Sequence, residues 1–155
     1  MAKTIKVLSQ LGGQQVTSPF PVTVPVFAGG TSSIKAGMLV ITDAVNPGYW
    51  LAAPDATDTD TFINAGVATS DSTETATANG TVTIDVAEVM IVSVKAKTPA
   101  DLTVAKKGVA FILDVSGSDY TMDQGTSTKG ILNLIDFDNI SDGNCTCLLT
   151  THWRG

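Results

Sequence analysis

Residues 81–86 alternate without a break, with Val82, Ile84 and Val86 on one face and Thr81, Thr83 and Asp85 on the other. A period of two is that of a strand with one dry and one wet side. Asn79-Gly80 stands just before it and suits the two positive-φ positions of a type I′ turn, which predicts a hairpin with residues 75–78 as the opposite limb. Shorter apolar runs bounded by Gly, Pro, Asn and Asp repeat the strand signal. They predict strands at 5–8, 38–41, 49–52, 62–68, 89–96, 109–115, 130–137 and 145–153, with turns at 35–37, 46–48 and 142–144. Gly66, inside one run, marks a bulge or a close-packed point. The Gly/Ser/Asp-rich stretch after Val115 reads as a loop, and 99–102 as a connection with room for one helical turn. Strands recur roughly every 10–15 residues with no helical period between them, so the predicted class is all-β, a small β-barrel or compact β-sandwich.

The first third of the chain breaks this rhythm. Phe20, Val22, Val24 and Val26 alternate with Pro21, Thr23 and Pro25, and Pro19 precedes them. Apolar alternation asks for a sheet, whereas proline removes a backbone donor at each position it occupies. An extended arm that pairs with a neighbouring subunit satisfies both demands. Gly29-Gly30-Thr31-Ser32-Ser33 then reads as a hinge, giving an N-terminal arm over 1–33 and a β-barrel body over 34–155.

Composition supports the strand reading and removes several functions. Of 155 residues, 43% are hydrophobic and 15% charged, against roughly 25% charged in ordinary soluble domains. Thr (22), Val (16) and Ile (10) fill the gap, while Glu74 and Glu88 are the only glutamates and Arg154 the only arginine. β-Branched residues favour strands, and charged faces for surface helices cannot be assembled. The length suits one domain with one core. A formal charge of −6 with no basic run longer than Lys106-Lys107 argues against nucleic acid as a partner. No apolar run approaches the ~20 residues of a membrane helix, and the first residues lack the pattern of a secretory signal, so the expected product is soluble and unexported.

Chemistry is sparse. His152 is the one histidine, three residues from the end, and no nucleophile elbow, zinc-helix motif or phosphate loop occurs. The chain is therefore read as a non-enzyme. Cys145 and Cys147, two apart, read as small buried thiols on one strand face; a disulfide or a metal site is the alternative, although half of a zinc ligand set is missing. Asp55, Asp58 and Asp60, and Asp136 and Asp138 with Asn139, lack the glycine and terminal glutamate of an EF-hand loop and read as solvated carboxylates. No metal or cofactor is expected. Tyr49, Trp50 and Trp153 carry two readings, a sugar-stacking platform or anchors of a protein interface, beside the plain one that at least one of them is core.

The order of motifs resembles the tailed-bacteriophage head decoration, or capsid cement, proteins. The likeness lies in Ala36-Gly37-Met38-Leu39-Val40, in Tyr49-Trp50 followed by Ala52-Ala53, in Ile63-Asn64-Ala65-Gly66-Val67-Ala68 and in the stretch from Thr75 to Asp85. It continues through Asp101–Gly108 into Phe111-Ile112-Leu113-Asp114-Val115, then Gly125-Thr126 and Lys129–Asp136, and covers about residues 34–153. The resemblance implies a structural virion protein on the outer surface of the capsid. It would bridge major capsid protein subunits and stabilise the shell against internal DNA pressure, self-associating as a homotrimer. Phe20, Val22, Val24, Val26, Phe27, Tyr49, Trp50 and Trp153 are the expected interface residues. A tail-tube or head-completion subunit and, from a different class, a carbohydrate-binding β module are the rival readings.

Overall fold

A computed structural model describes residues 2–8, 10–11, 14–15, 20–29, 34–59, 64–87, 89–138 and 141–150. It is all-β, and the strands close into two five-stranded barrels joined in tandem. The first is built from β4 (Phe20–Val26), β5 (Leu39–Thr42), β6 (Trp50–Ala52), β7 (Ala65–Ala68) and β8 (Gly80–Val86), in the order β4-β6-β5-β7-β8 with β8 returning to β4. The second uses β9 (Val89–Ala96), β10 (Ala110–Ser116), β11 (Asp119–Asp123), β12 (Leu132–Phe137) and β13 (Asn144–Thr150), in the order β9-β11-β10-β12-β13. It closes through seven antiparallel residue pairs between β13 and β9. Short β1 (Lys6–Val7) lies along β9, while β2 (Gln10–Leu11) and β3 (Gln14–Gln15) pair with each other. Two single 3₁₀ turns, Pro99–Asp101 and Val104–Lys106, connect β9 to β10.

The alternation read from the sequence becomes the inside and outside of the barrels. Val82, Ile84 and Val86 point into the first, and Met90, Val92, Val94, Cys145, Cys147 and Leu149 into the second. The buried side chains form one continuous cluster across both. Tyr120 Oη donates to the Ala53 carbonyl, Ala56 N–H to the Leu113 carbonyl, and Val115 N–H to Asp55 Oδ1 at 2.8 Å. Residues 3–8 add a strap: Lys3 O accepts from Tyr120 N–H, Ile5 N–H donates to Gly37 O and Leu8 N–H to Ile91 O. Ile5 is buried there.

Three expectations are corrected. Residues 1–33 are not a separable arm: β4 pairs with β8 from Phe20↔Val86 to Val26↔Gly80, as a stave of the first barrel. Proline can stand in such a ladder at positions whose nitrogen faces away from the partner, and Pro21 and Pro25, four apart, share that parity. Asn79-Gly80 makes no I′ turn, since Gly80 has no positive φ; the chain reverses at 75–78, where Thr75 N–H donates to Ala78 O. Within the loop predicted after Val115, Gly117 at φ 63° makes a tight turn into β11.

Candidate functional site

The residues expected at an interface divide by depth along β4 and β6. Val24 and Val26 are 5% exposed and Trp50 8%, so these three are core residues of the first barrel rather than contact residues. Inward alternation along β4 and the start of β6 put them there, because closing the barrel turns that face away from solvent. Val22 and Tyr49 are half-buried. Phe20 at 61% and Phe27 at 42% exposure remain outside, at opposite ends of the same strand. Trp153 lies outside the described residues.

Around Phe27 the surface folds into a pocket of about 250 Å³, lined among others by Asp43, Asn46, Trp50 and Glu74. The Phe27 ring meets Tyr49 edge-on, with centroids 5.2 Å apart and planes at 79°. Asn79 fixes that end of the strand: its Oδ1 accepts from Ala28 N–H at 2.8 Å and its Nδ2 donates to Tyr49 Oη at 2.9 Å. The two rings thus offer an edge and a face at right angles, and the indole is buried, an arrangement without the coplanar exposed rings that stack on a sugar.

The acidic side of the pocket was not singled out by sequence. Asp43 Oδ1 accepts from the backbone N–H groups of Val45 and Asn46, and Oδ2 from Asn46 Nδ2 at 2.8 Å. Partial burial pushes this carboxyl up, but the hydrogen bonds from Asn46 and Val45 outweigh it and hold its pKa below the usual carboxylate value. Aspartate three residues before Asn46-Pro47-Gly48 is a turn-capping signal that reveals the geometry of the loop but not its neighbours. Glu74 arrives from the segment that passes under Gly80, where a Cβ would stand 2.0 Å from the Glu74 nitrogen. Its Oε2 is shielded from solvent and has no hydrogen-bond partner among the described residues.

The other candidate chemistry is inert. Cys145 and Cys147 are free, buried thiols on one face of β13. Burial, then the neighbouring Asp138 charge, pushes the Cys145 pKa up to about 11, and burial pushes Cys147 higher still. Such thiols are poor nucleophiles and poor metal ligands. Asp55 caps β10 and Asp136 pairs with Lys107 at 2.5 Å, both as structural carboxylates. Among the described residues no three His, Cys, Asp or Glu side chains are grouped to hold a metal ion. No known protein family, curated protein or solved structure matches the chain.

Proposed function

We propose that this chain is a structural virion protein that binds the outer surface of a tailed-phage capsid. It bridges neighbouring major capsid protein subunits, as a homotrimer, and stabilises the shell against internal DNA pressure. The sequence resemblance suggests the class, and one structural observation carries the mechanical part. Phe20 and Phe27 are exposed at the two ends of one strand, seven residues and therefore about 23 Å apart, on a barrel closed against its neighbour. A clamp needs two separated contact points on a body that does not stretch between them. Val45, 85% exposed beside the Phe27 end, and Val89, in the first residue after the β8–β9 junction, enlarge the two apolar spots.

Contact by side chains suits this strand better than strand addition. Away from β8, β4 pairs with β6 only at Val26 among the described residues, and Pro21 and Pro25 remove donors from that flank. Each shell contact is then of modest area, and stabilisation comes from many copies acting on one lattice.

Purified protein mixed with expanded, undecorated capsids is expected to bind saturably and raise the temperature of shell disruption. Replacing Phe20 or Phe27 with Ser should weaken binding at least tenfold with the barrels still folded. Absence of binding at micromolar concentration would overturn the reading. Rings or tubes of the pure protein in negative stain would instead favour a tail-tube or head-completion subunit.

A further inference from the structure

The two barrels repeat one unit. In each, the first strand in chain order pairs parallel with the third, the second pairs with the third and the fourth, and the fifth pairs with the fourth and back with the first. The registers match residue for residue. Val22↔Ile84 and Ile84↔Ala68 in the first barrel become Val92↔Cys147 and Cys147↔Leu134 in the second, and Val26↔Trp50 becomes Ala96↔Met122. Gly37 at φ 87° and Gly108 at φ 83° hold one position, each donating at 2.7 Å to the carbonyl of the matched Ala68 or Leu134.

The strand β1 falls outside this repeat. It lies antiparallel along β9, with Lys6↔Ser93 and Val7↔Val92, and Leu8 N–H reaches Ile91 O at 2.8 Å. It fills the flank that β11 leaves free, since β11 pairs with β9 only at Lys95 and Ala96. The matching flank of β4 carries no added strand among the described residues. There Pro21 and Pro25 stand where the second barrel has Ile91 and Lys95, so that edge lacks donors. A unit whose ladders close in the first barrel without a sixth strand does not need one to close in the second. β1 is therefore a ligand of an open strand edge, carried by the same chain.

We infer that this flank of β9 is a strand-accepting site, and that its occupant between molecules is residues 3–8 of a second copy. Every copy carries the matching strand, so exchange re-forms the same hydrogen bonds, Tyr120 N–H to Lys3 O among them, and buries Ile5 again. Such an exchange is a low-cost route to association. Among the described residues β2 and β3, between the strap and β4, pair with each other and with no barrel strand. A segment the length of residues 9–19 reaches at most about 40 Å. Pairing within one chain through such a segment corresponds to a local concentration on the order of millimolar, so exchange takes over where copies are packed at that density. The contact serves the self-association in the function proposed above but does not rest on the shell.

Cysteine pairing in the full-length protein reads the exchange directly. Lys6 is exposed and Ser93, its direct partner, half-buried, whereas Cys145 and Cys147 are buried. The double variant Lys6→Cys/Ser93→Cys, oxidised in dilute solution, is expected to close a disulfide within one chain; failure to close it would overturn the strap register. Lys6→Cys and Ser93→Cys proteins are then mixed, held at millimolar concentration, diluted and oxidised. A disulfide-linked heterodimer is expected at least tenfold above that from Lys6→Cys mixed with Ala76→Cys, an exposed site on the first barrel. Equal yields from the two mixtures would overturn the inference, as would wild-type protein that sediments only as a monomer at millimolar concentration. Straps that exchange in a protein with no affinity for expanded capsids would overturn the capsid assignment and leave the exchange standing; shell binding without exchange would do the reverse.

Discussion

The phenolic hydroxyl of Tyr120, on β11 of the second barrel, donates to the carbonyl oxygen of Ala53, at the exit of the first, at 3.0 Å. The pair is buried, so Tyr120→Phe keeps the ring and leaves a carbonyl without its donor, at a cost of about 1–3 kcal/mol. Urea denaturation should show a lower midpoint with an unchanged slope. Because the apolar cluster runs through both barrels, a single cooperative transition is expected in both proteins. Two resolved transitions in the wild type would show that the barrels unfold independently.

Stability should fall on the alkaline side, and the sign follows from the same residue. Burial pushes the Tyr120 pKa up to about 12, against about 10 in the unfolded chain. Below pH 10 the hydroxyl is protonated in both states and contributes no pH dependence. Above it the unfolded chain loses the proton first, the folded state binds more protons, and stability declines by up to about 1.4 kcal/mol per pH unit. Cys145, raised to about 11, opens the same decline earlier, from about pH 9. Urea midpoints measured from pH 7 to 11.5 should be level at first and then drop, with Tyr120→Phe removing part of the drop above pH 10. A midpoint that stays level to pH 11 would contradict the burial of both groups.

Two glycines should respond very differently to alanine. At Gly80 a Cβ would fall 2.0 Å from the Glu74 nitrogen and 2.5 Å from its Cα, both backbone atoms that cannot move without opening the β7–β8 side of the barrel. Gly48, at φ 89°, has nothing within 4 Å of an added Cβ, so only the left-handed backbone is strained, by about 1–2 kcal/mol. Gly80→Ala is expected to cost more than about 4 kcal/mol or to prevent folding, while Gly48→Ala folds with a modestly lower melting temperature. Comparable losses in the two variants would refute the close approach at Gly80.

The same glycine shows how far the sequence could be read. The β8 strand was legible because burial on one side imposes a period of two that local pattern exposes. The chemistry of its start was not: Asn79-Gly80 has the composition of a hairpin turn, yet Asn79 holds Ala28 and Tyr49 and Gly80 makes room for a crossing backbone. The Asn79 bonds join distant segments, and the approach at Gly80 depends on how the chain from Thr73 folds back on itself. The second barrel was hidden because its closure depends on pairings such as Asn144↔Lys95 and Thr150↔Val89 that leave no local mark. Of the candidate site, Phe20 and Phe27 were visible as aromatics of the expected arm and Tyr49 as an aromatic in a predicted strand. Asp43 and Glu74 were not singled out, because only the fold sets them beside Phe27.

The N-terminal strap gives the sharpest test of the corrected architecture. A separable arm could be removed from a folded body, whereas here Ile5 is 2% exposed and its N–H reaches Gly37 of the first barrel, while Lys3 and Leu8 on either side bond to the second. Cutting Ile5 back to Ala deletes buried methyl and methylene groups at the junction, which costs about 2–5 kcal/mol. Deleting residues 2–8 removes the strap's hydrogen bonds as well and uncovers the flank of β9 at Ser93 and Val92. Thermal melts of Ile5→Ala should therefore be lowered by several degrees or more, and the deletion should be worse. Lys6→Ala, at an exposed position of the same strap, is expected to stay within about 0.5 kcal/mol of wild type. If the deletion melted like the full chain, residues 3–8 would be an appendage and the two barrels would hold together without them.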